Sequence, residues 1–190
     1  MTPEVTQEEA EEAVRTLLLW AGDDVSREGL RDTPSRVARM YREVFGGLRV
    51  DKPKLTAFSS AADQMVVVGN IAFSSMCEHH LVPFMGRIDI GYIPQGRVLG
   101  LSKFARIVDW FASRPQIQEQ LTEQIADALY EELFKAEEVG DGGIIVVARA
   151  EHMCMSIRGV KKPGHVTTTS AIRGNIDKTE FFALLGLRDA

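Results

Sequence analysis

The residues of this chain best suited to bind a metal ion lie in two short segments. The first segment contains Cys77, His79 and His80, and the second contains His152 and Cys154. Together they include both cysteines and three of the four histidines of the 190-residue chain. Thiolates and imidazoles are typical zinc ligands in a reducing compartment. The clustering therefore predicts that the two segments meet in space and form a zinc site.

The number of protein ligands distinguishes a catalytic zinc site from a structural one. Cys77 and His80 have the Cys-x-x-His spacing of a chelate, and Cys154 is the third predicted ligand. Three ligands leave a position for water, with His79 and His152 beside the metal as acid–base groups. His152 and Cys154 share one face of an extended segment, so His152 as a fourth ligand stays an alternative. A buried thiol or a purely structural histidine is the alternative for any single residue.

Hydrophobic periodicity and capping residues predict an alternation of helix pairs and strand pairs. Thr6 and Glu9 have the spacing of a capping box, whereas Thr33 and Ser102 are predicted N-caps. An irregular connector is predicted over 48–63. The predicted helices cover 6–20, 33–45, 101–113, 116–138 and 177–186, and the predicted strands cover 64–73, 84–94, 144–159 and 165–174.

This order of elements, ααββααββα, favours the α+β class with mostly antiparallel strands. A glycine-rich break at 140–143 separates the second helix pair from the second strand pair. The Cys77–His80 segment falls on the connection between the first two strands, which is a common position for functional residues. We expect an N-terminal helical segment over 1–47 and a single catalytic unit over 48–190.

The composition excludes several classes of function. The net charge is −5 and the pI is about 5.4, so the chain has no general basic surface for nucleic acid or an anionic membrane. Its first residues are acidic and polar, unlike a secretory signal, and no apolar run has the length of a membrane span. Two cysteines are too few for a disulfide framework. The sequence therefore predicts a cytoplasmic protein with reduced thiols.

Basic residues occur in local groups that suit an anionic ligand. Ser102, Lys103 and Arg106 lie at the predicted start of a helix, where free N–H groups and the helix dipole favour anions. Arg158 follows Cys154 by four residues, which in an extended segment keeps both on one face. Arg36 and Arg39 are three residues apart on the second helix. Solvated surface cations are the alternative for each group.

Several long motifs identify a family resemblance. The stretches CEHHLVPFMGRIDIGYIP, GLSKFARIVDWFASRPQIQEQLTEQIADAL and EHMCMSIRGV occur in this order and resemble zinc-dependent GTP cyclohydrolase I. The stretches DTPSRVARMYREVF and TTTSAIRG are also similar to that family. The resemblance extends from about residue 30 to the end of the chain, whereas the N-terminal helix carries little of it.

The resemblance implies a tunnelling fold (T-fold), an antiparallel sheet with helices packed on one side. Subunits of this family join their sheets into β-barrels and form a homodecamer, a dimer of pentamers with active sites between subunits. The implied reaction converts GTP and water into formate and 7,8-dihydroneopterin triphosphate, the first step of tetrahydrofolate and pterin biosynthesis. The sequence leaves open whether the product supplies folate, a biopterin cofactor or a modified nucleoside.

The resemblance also implies a role for individual residues. Cys77, His80 and Cys154 match the zinc ligands, and His79 and His152 match the catalytic histidines. Glu119 matches the residue that binds the guanine edge. The other implied substrate contacts are Gln118, Leu99, Leu101, Ser102, Lys103, Arg106, Arg158 and Arg39, the last of these from a neighbouring subunit. Arg36, Lys161, Lys162 and His165 receive no role.

Two other functions stay open from the sequence. The first is a T-fold enzyme with different chemistry, such as a pterin-processing or nitrile-reducing relative, although the Cys77, His80 and Cys154 set favours a zinc hydrolase. The second is a zinc-stabilised binding protein without catalysis. Such a protein would have a fourth protein ligand on the metal and no turnover.

Overall fold

The computed structural model describes residues 5–134 and 142–186. The chain divides into two compact units, Met1–Gly46 and Gly47–Ala190. The first unit contains helix α1 (Gln7–Trp20), a 3₁₀ turn (Glu28–Leu30) and helix α2 (Thr33–Val44). The predicted capping box of α1 is present, since Thr6 and Glu9 bond each other's backbone N–H. The N-cap of α2 is Asp32, so the cap predicted at Thr33 was wrong by one residue.

A five-stranded sheet forms the centre of the second unit. Its strand order is β5-β2-β3-β6-β7, and every pairing is antiparallel except the short parallel pair of β2 and β5. Strands β1 and β4 form a separate two-stranded ladder. The strands are β1 (Ala57–Ser59), β2 (Val66–Cys77), β3 (Pro83–Tyr92), β4 (Arg97–Leu99), β5 (Pro115–Gln116), β6 (Gly143–His152) and β7 (Val166–Gly174).

Helices cover the sheet unequally on its two faces. Helices α3 (Leu101–Ala112) and α4 (Gln118–Phe134) contribute buried residues to the main core, which includes Phe84, Ile88 and Ile90 from the sheet. The short helix α6 (Lys178–Leu184) buries Phe181 in a second cluster with Ile145 and Val147. Helices therefore pack mainly on one face of the sheet, as predicted. The helix predicted over 177–186 is present as α6, but it packs on the opposite face, which the prediction did not include. A single helical turn, α5 (Met153–Ser156), follows β6.

The structure corrects several predicted element boundaries. The predicted connector over 48–63 contains a 3₁₀ turn (Gly46–Leu48) at its start and strand β1. Helix α3 is capped by Gly100 without a side-chain bond, so the cap predicted at Ser102 was wrong. Helix α4 begins at Gln118 because residues 115–116 pair with β2. The predicted continuation of α4 to residue 138 and the break at 140–141 lie outside the described residues.

A close approach between β3 and β6 makes Gly86 sensitive to substitution. Gly86 lies opposite Ala150, and a Cβ at Gly86 would come within 1.8 Å of the Arg149 carbonyl oxygen. Neither backbone can yield without breaking the ladder. We expect Gly86→Ala to lower the free energy of unfolding by about 3 kcal/mol, measured by urea denaturation.

Gly46→Ala is the matched control for this stability measurement. Its φ is not positive, and an added Cβ meets no heavy atom within 4 Å among the described residues. Its effect should be within about 0.5 kcal/mol, as for other surface substitutions. Equal stability of the two variants would contradict the close approach.

Candidate metal and substrate site

The turn between β2 and β3 brings Cys77, His79 and His80 together. Cys77 is the last residue of β2, and its carbonyl oxygen accepts hydrogen bonds from the backbone N–H groups of His80 and Leu81. Leu81 has a φ of 50°, which lets the chain reverse tightly, so that the Val82 carbonyl oxygen accepts a hydrogen bond from the Cys77 N–H. As a result, the Nδ1 atoms of His79 and His80 lie 3.8 and 3.9 Å from Cys77 Sγ.

The register of the sheet brings the second segment to the same place. The last residue of β6, His152, lies opposite Phe84 near the start of β3. The chain then enters α5, which directs Cys154 toward the β2–β3 turn. The ligand atoms of Cys77, His80 and Cys154 all lie within 4.8 Å of one another. The two predicted metal-ligating segments therefore do meet, and we call these three residues the metal-ligand cluster.

The helical turn α5 separates His152 from Cys154. Because the strand ends at His152, the two side chains do not share the face of one strand, and that premise of the sequence analysis was wrong. Cys154 joins the metal-ligand cluster, whereas His152 Nε2 lies 2.7 Å from Oε1 of Gln118. The same turn invalidates the same-face spacing predicted for Arg158. That residue nevertheless lies beside the cluster, with Nη1 2.8 Å from Nε2 of His80.

Burial and neighbouring charge alter the proton affinity of two residues here. Burial raises the pKa of the Cys154 thiol, and the adjacent Cys77 sulfur raises it further. Without a cation the Cys154 thiol therefore favours its protonated state, and a divalent metal reverses this preference. Burial lowers the pKa of His152; nearby Glu119 opposes this shift, whereas His165 adds to it.

Helix α4 places two predicted substrate contacts next to His152 in different environments. Glu119 is exposed in the first turn of α4, where the helix dipole stabilises a carboxylate. Gln118 is 1% exposed, and its amide bonds the sheet and His152 rather than facing solvent. The Glu119 carboxylate is therefore available to a ligand, whereas the Gln118 side chain is already fully engaged.

The residues predicted to bind phosphate on α3 lie toward the opposite end of the sheet. Phe104 of α3 packs on Tyr92, which pairs with Val66 at the start of β2. The other end of α3 lies near Cys77, since the Ala112 carbonyl oxygen accepts a hydrogen bond from Ser75 Oγ, two residues before Cys77. Ser102 lies ten residues before Ala112, about 15 Å further along the helix at ~1.5 Å per residue. One chain therefore does not bring these groups to its own metal-ligand cluster. The α3 group consists of Ser102, Lys103 and Arg106, beside buried Leu99 and exposed Leu101.

The basic residues of α2 make local contacts within the first unit. Arg39 donates a hydrogen bond to Ser35 Oγ at 3.1 Å. Arg36 forms an ion pair with Asp32 at 3.4 Å and also bonds Thr33. Both guanidinium groups therefore have partners within their own helix and the preceding turn.

Sequence reasoning missed three residues that support the site. Phe84 stacks on the His152 ring with centroids 4.7 Å apart and planes 1° apart. Thr169 accepts a hydrogen bond from Gln118 Nε2. Glu151 accepts bonds from Ser156 Oγ and the Gly164 backbone, closing the loop after α5. The threonine-rich stretch was a sequence signal for the Thr169 contact. The contacts of Phe84 and Glu151 depend on strand register and on closure of the loop after α5, which the sequence does not show.

Comparisons with known proteins show which family this chain belongs to. The sequence profile of the family described as GTP cyclohydrolase I matches residues 10–184. GTP cyclohydrolase 1 of Mycolicibacterium gilvum is 55% identical over 177 residues, covering 91% of this chain and 85% of that protein. The proteins of the same name from Carboxydothermus hydrogenoformans and Brevibacillus brevis are 51% and 50% identical. These matches cover 96% and 92% of this chain and 96% and 91% of the relatives. No helix within 5–134 or 142–186 has the length and apolarity to span a membrane.

Proposed function

The chain belongs to the GTP cyclohydrolase I family, and we propose that Cys77, His80 and Cys154 bind the zinc ion of its active site. The chain has GTP cyclohydrolase I activity, in which GTP and water give formate and 7,8-dihydroneopterin triphosphate. The observation that carries the metal assignment is the convergence of three ligand atoms from two distant segments within 4.8 Å.

The dimensions of the metal-ligand cluster suit zinc. Tetrahedral zinc with ordinary bond lengths places a sulfur and a nitrogen ligand about 3.6 Å apart. The distance from Cys77 Sγ to His80 Nδ1 is 3.9 Å, so only a small contraction is needed. Two thiolates and one imidazole match the preference of zinc over harder cations. When bound, zinc supplies a hydroxide nucleophile at neutral pH for attack on C8 of guanine.

The two histidines outside the metal-ligand cluster are proposed to transfer protons. His152 protonates guanine N7 as water adds to C8, and both His79 and His152 move protons during ring opening and release of formate. The buried position of His152 and its stacking on Phe84 support this role because they hold the imidazole in one orientation. His79 lies beside Cys77, so it can reach the same substrate atoms.

Guanine is proposed to bind at the start of α4. The Glu119 carboxylate accepts two parallel hydrogen bonds from N1–H and the 2-amino group of the base. The proximity of Glu119 to His152 supports this pose. Glu119 must bind the N1–H and 2-amino edge of guanine while His152 reaches N7 of its imidazole ring. The backbone near Leu99 and Leu101 is proposed to complete the base site from a neighbouring subunit, because these residues lie beside the α3 group.

We expect Glu119→Ala to raise the KM for GTP about 10- to 100-fold, because two charge-assisted hydrogen bonds are lost. Zinc content should remain unchanged, since Glu119 is not part of the metal-ligand cluster. Steady-state kinetics and metal analysis measure both values. Glu123→Ala, one turn later on the same helix, removes a carboxylate that pairs with Arg173 and should leave the KM unchanged. Equal KM values for the two variants would contradict the guanine pose.

The triphosphate is proposed to bind residues from more than one subunit. Arg158 lies beside His80 in the same chain as the metal, whereas the phosphate-binding group on α3 lies near the other end of that chain's sheet. Arg158 and the α3 group can bind one triphosphate together when α3 of a neighbouring copy approaches the metal-ligand cluster. The complete proposed phosphate set is Ser102, Lys103, Arg106 and Arg158, with Arg39 from another subunit.

The edges of the sheet support assembly into a larger oligomer. In the described chain, β7 is paired only with β6, and β2 has a partner on its outer side only at Met76 and Cys77. Unpaired strand edges favour pairing with another chain. We propose that these edges continue the sheet into a T-fold barrel and that the protein is a homodecamer in the cytoplasm, where its thiols stay reduced.

One assay tests the proposed metal dependence. The purified oligomer is incubated with GTP, with and without a zinc chelator, while formate and the fluorescence of the oxidised pterin are measured. We expect both products from the metal-loaded protein, their loss with chelator, and their recovery when zinc is restored. Full turnover in metal-free protein would contradict the zinc site, and the absence of formate from metal-loaded protein would contradict the reaction itself.

A further inference from the structure

The side-chain amide of Gln118 has one allowed orientation. Its Nε2 atom lies 3.1 Å from the Ala148 carbonyl oxygen and 3.0 Å from that of Thr167. A carbonyl oxygen can only accept, so the atom facing these two groups must be the donor nitrogen. The Oε1 atom therefore faces His152, at 2.7 Å from Nε2. A flipped amide would place three oxygens together in a buried site, at a high energetic cost.

This orientation determines which nitrogen of His152 carries a hydrogen. Because Gln118 Oε1 only accepts, Nε2 of His152 must donate. Within the described residues, no hydrogen bond is formed by His152 Nδ1. Stacking on Phe84 prevents the ring from tilting, since the two planes are 1° apart. Nδ1 is thus the ring nitrogen available to a ligand, and the ring is held in place from one edge and one face.

We propose that Gln118 is a positioning residue that keeps Nε2 of His152 protonated, so that Nδ1 exchanges the proton with the substrate. The inference rests on the proposed function of His152 in proton transfer. The proton leaves Nδ1 for guanine N7 and returns to Nδ1 later, while the Nε2–H bond to Gln118 persists throughout. This role replaces the direct substrate contact predicted for Gln118, whose side chain is 1% exposed and has no polar atom free.

The chain offers a closely matched control for this proposal. Gln116 is also buried, and its Nε2 bonds the Phe111 carbonyl and Gln124 Oε1, neither of which belongs to a proposed site residue. Gln118→Met and Gln116→Met each delete a buried amide of the same size, so both should lower the thermal midpoint. Only Gln118→Met should reduce kcat, by about 10- to 100-fold, because a misplaced proton donor slows the chemical step. Its KM for GTP should change by less than about threefold, and zinc content should be unchanged.

A second variant separates positioning from packing. Gln118→Glu in its protonated form keeps an oxygen for His152 and one donor for the sheet carbonyls. It should recover part of the kcat lost in Gln118→Met. The proposal is overturned if Gln118→Met keeps the kcat of Gln116→Met, or if its KM rises while kcat is unchanged. An inactive wild-type enzyme would instead contradict the proposed function, so the two failures are distinguishable.

Discussion

Replacing Cys154 by alanine is expected to abolish stoichiometric zinc binding and to lower GTP turnover by at least about 10³-fold. Within residues 5–134 and 142–186, Cys154 contributes one of the three ligand atoms that lie within 4.8 Å of one another. With that sulfur removed, Cys77 and His80 remain as a two-residue chelate on one turn, which is too weak to retain zinc against dialysis. Elemental analysis of the dialysed protein and a formate assay measure the two effects.

The neighbouring residue Met155 provides the control for this experiment. Met155 lies on the same helical turn as Cys154 and is equally part-buried, but it has no place in the metal-ligand cluster. Met155→Leu should keep one zinc ion per subunit and most of the turnover, since this exchange conserves volume. A Cys154→Ala protein that retains one zinc ion per subunit would contradict the assigned ligand set.

Replacing His152 by alanine is expected to retain zinc while reducing kcat by about 10²- to 10⁴-fold, the range for loss of an acid–base group. His152 lies outside the metal-ligand cluster, and its Nε2 is bonded to Gln118. The metal should therefore remain at one ion per subunit. Steady-state kinetics with metal analysis on the same preparation separates the two effects.

The fourth histidine of the chain controls for general effects of removing an imidazole. His165 is exposed after the loop that follows α5 and is assigned no part in binding or catalysis. His165→Ala removes only the smallest of the three influences on the His152 pKa, so it should change kcat by no more than about twofold. If His152→Ala instead loses stoichiometric zinc, His152 is a fourth ligand, and the site is closed to water.

The convergence of the three proposed ligands was predictable because each of them is local in the sequence or chemically rare. Cys77 and His80 lie three residues apart, so a single turn brings them together, whatever the rest of the fold. The chain has so few cysteines that Cys154 was the obvious third ligand. Helices α1 and α2 and the four long strands were also predictable as elements, since the periodicity of each is encoded within its own segment. The α2 cap and the end of the strand predicted over 144–159 were not.

The environment of His152 was not predictable in the same way. The same-face argument assumed that the strand continues through Cys154, whereas β6 ends at His152 and α5 begins. The family resemblance implies a substrate contact for Gln118 beside Glu119, but it does not indicate how the Gln118 side chain is bonded within the chain. The structure instead shows its amide bonded to Ala148, Thr167 and His152. Adjacent residues at the start of a helix point in different directions, and only packing decides which is buried.

The sequence by itself determined which side chains are available to the proposed site: two thiols and an imidazole for a metal, two further histidines, a carboxylate proposed to bind guanine and basic groups proposed to bind phosphate. The tertiary structure decided which of these groups lie close together in one chain and which lie apart. Register between β3 and β6 brought Cys154 to Cys77, and the direction of α3 placed its proposed phosphate-binding residues at the end of the helix away from that cluster. The reason is physical: ligand identity depends on side-chain chemistry, which each residue carries, whereas proximity depends on hydrogen bonds and packing between segments far apart in the chain.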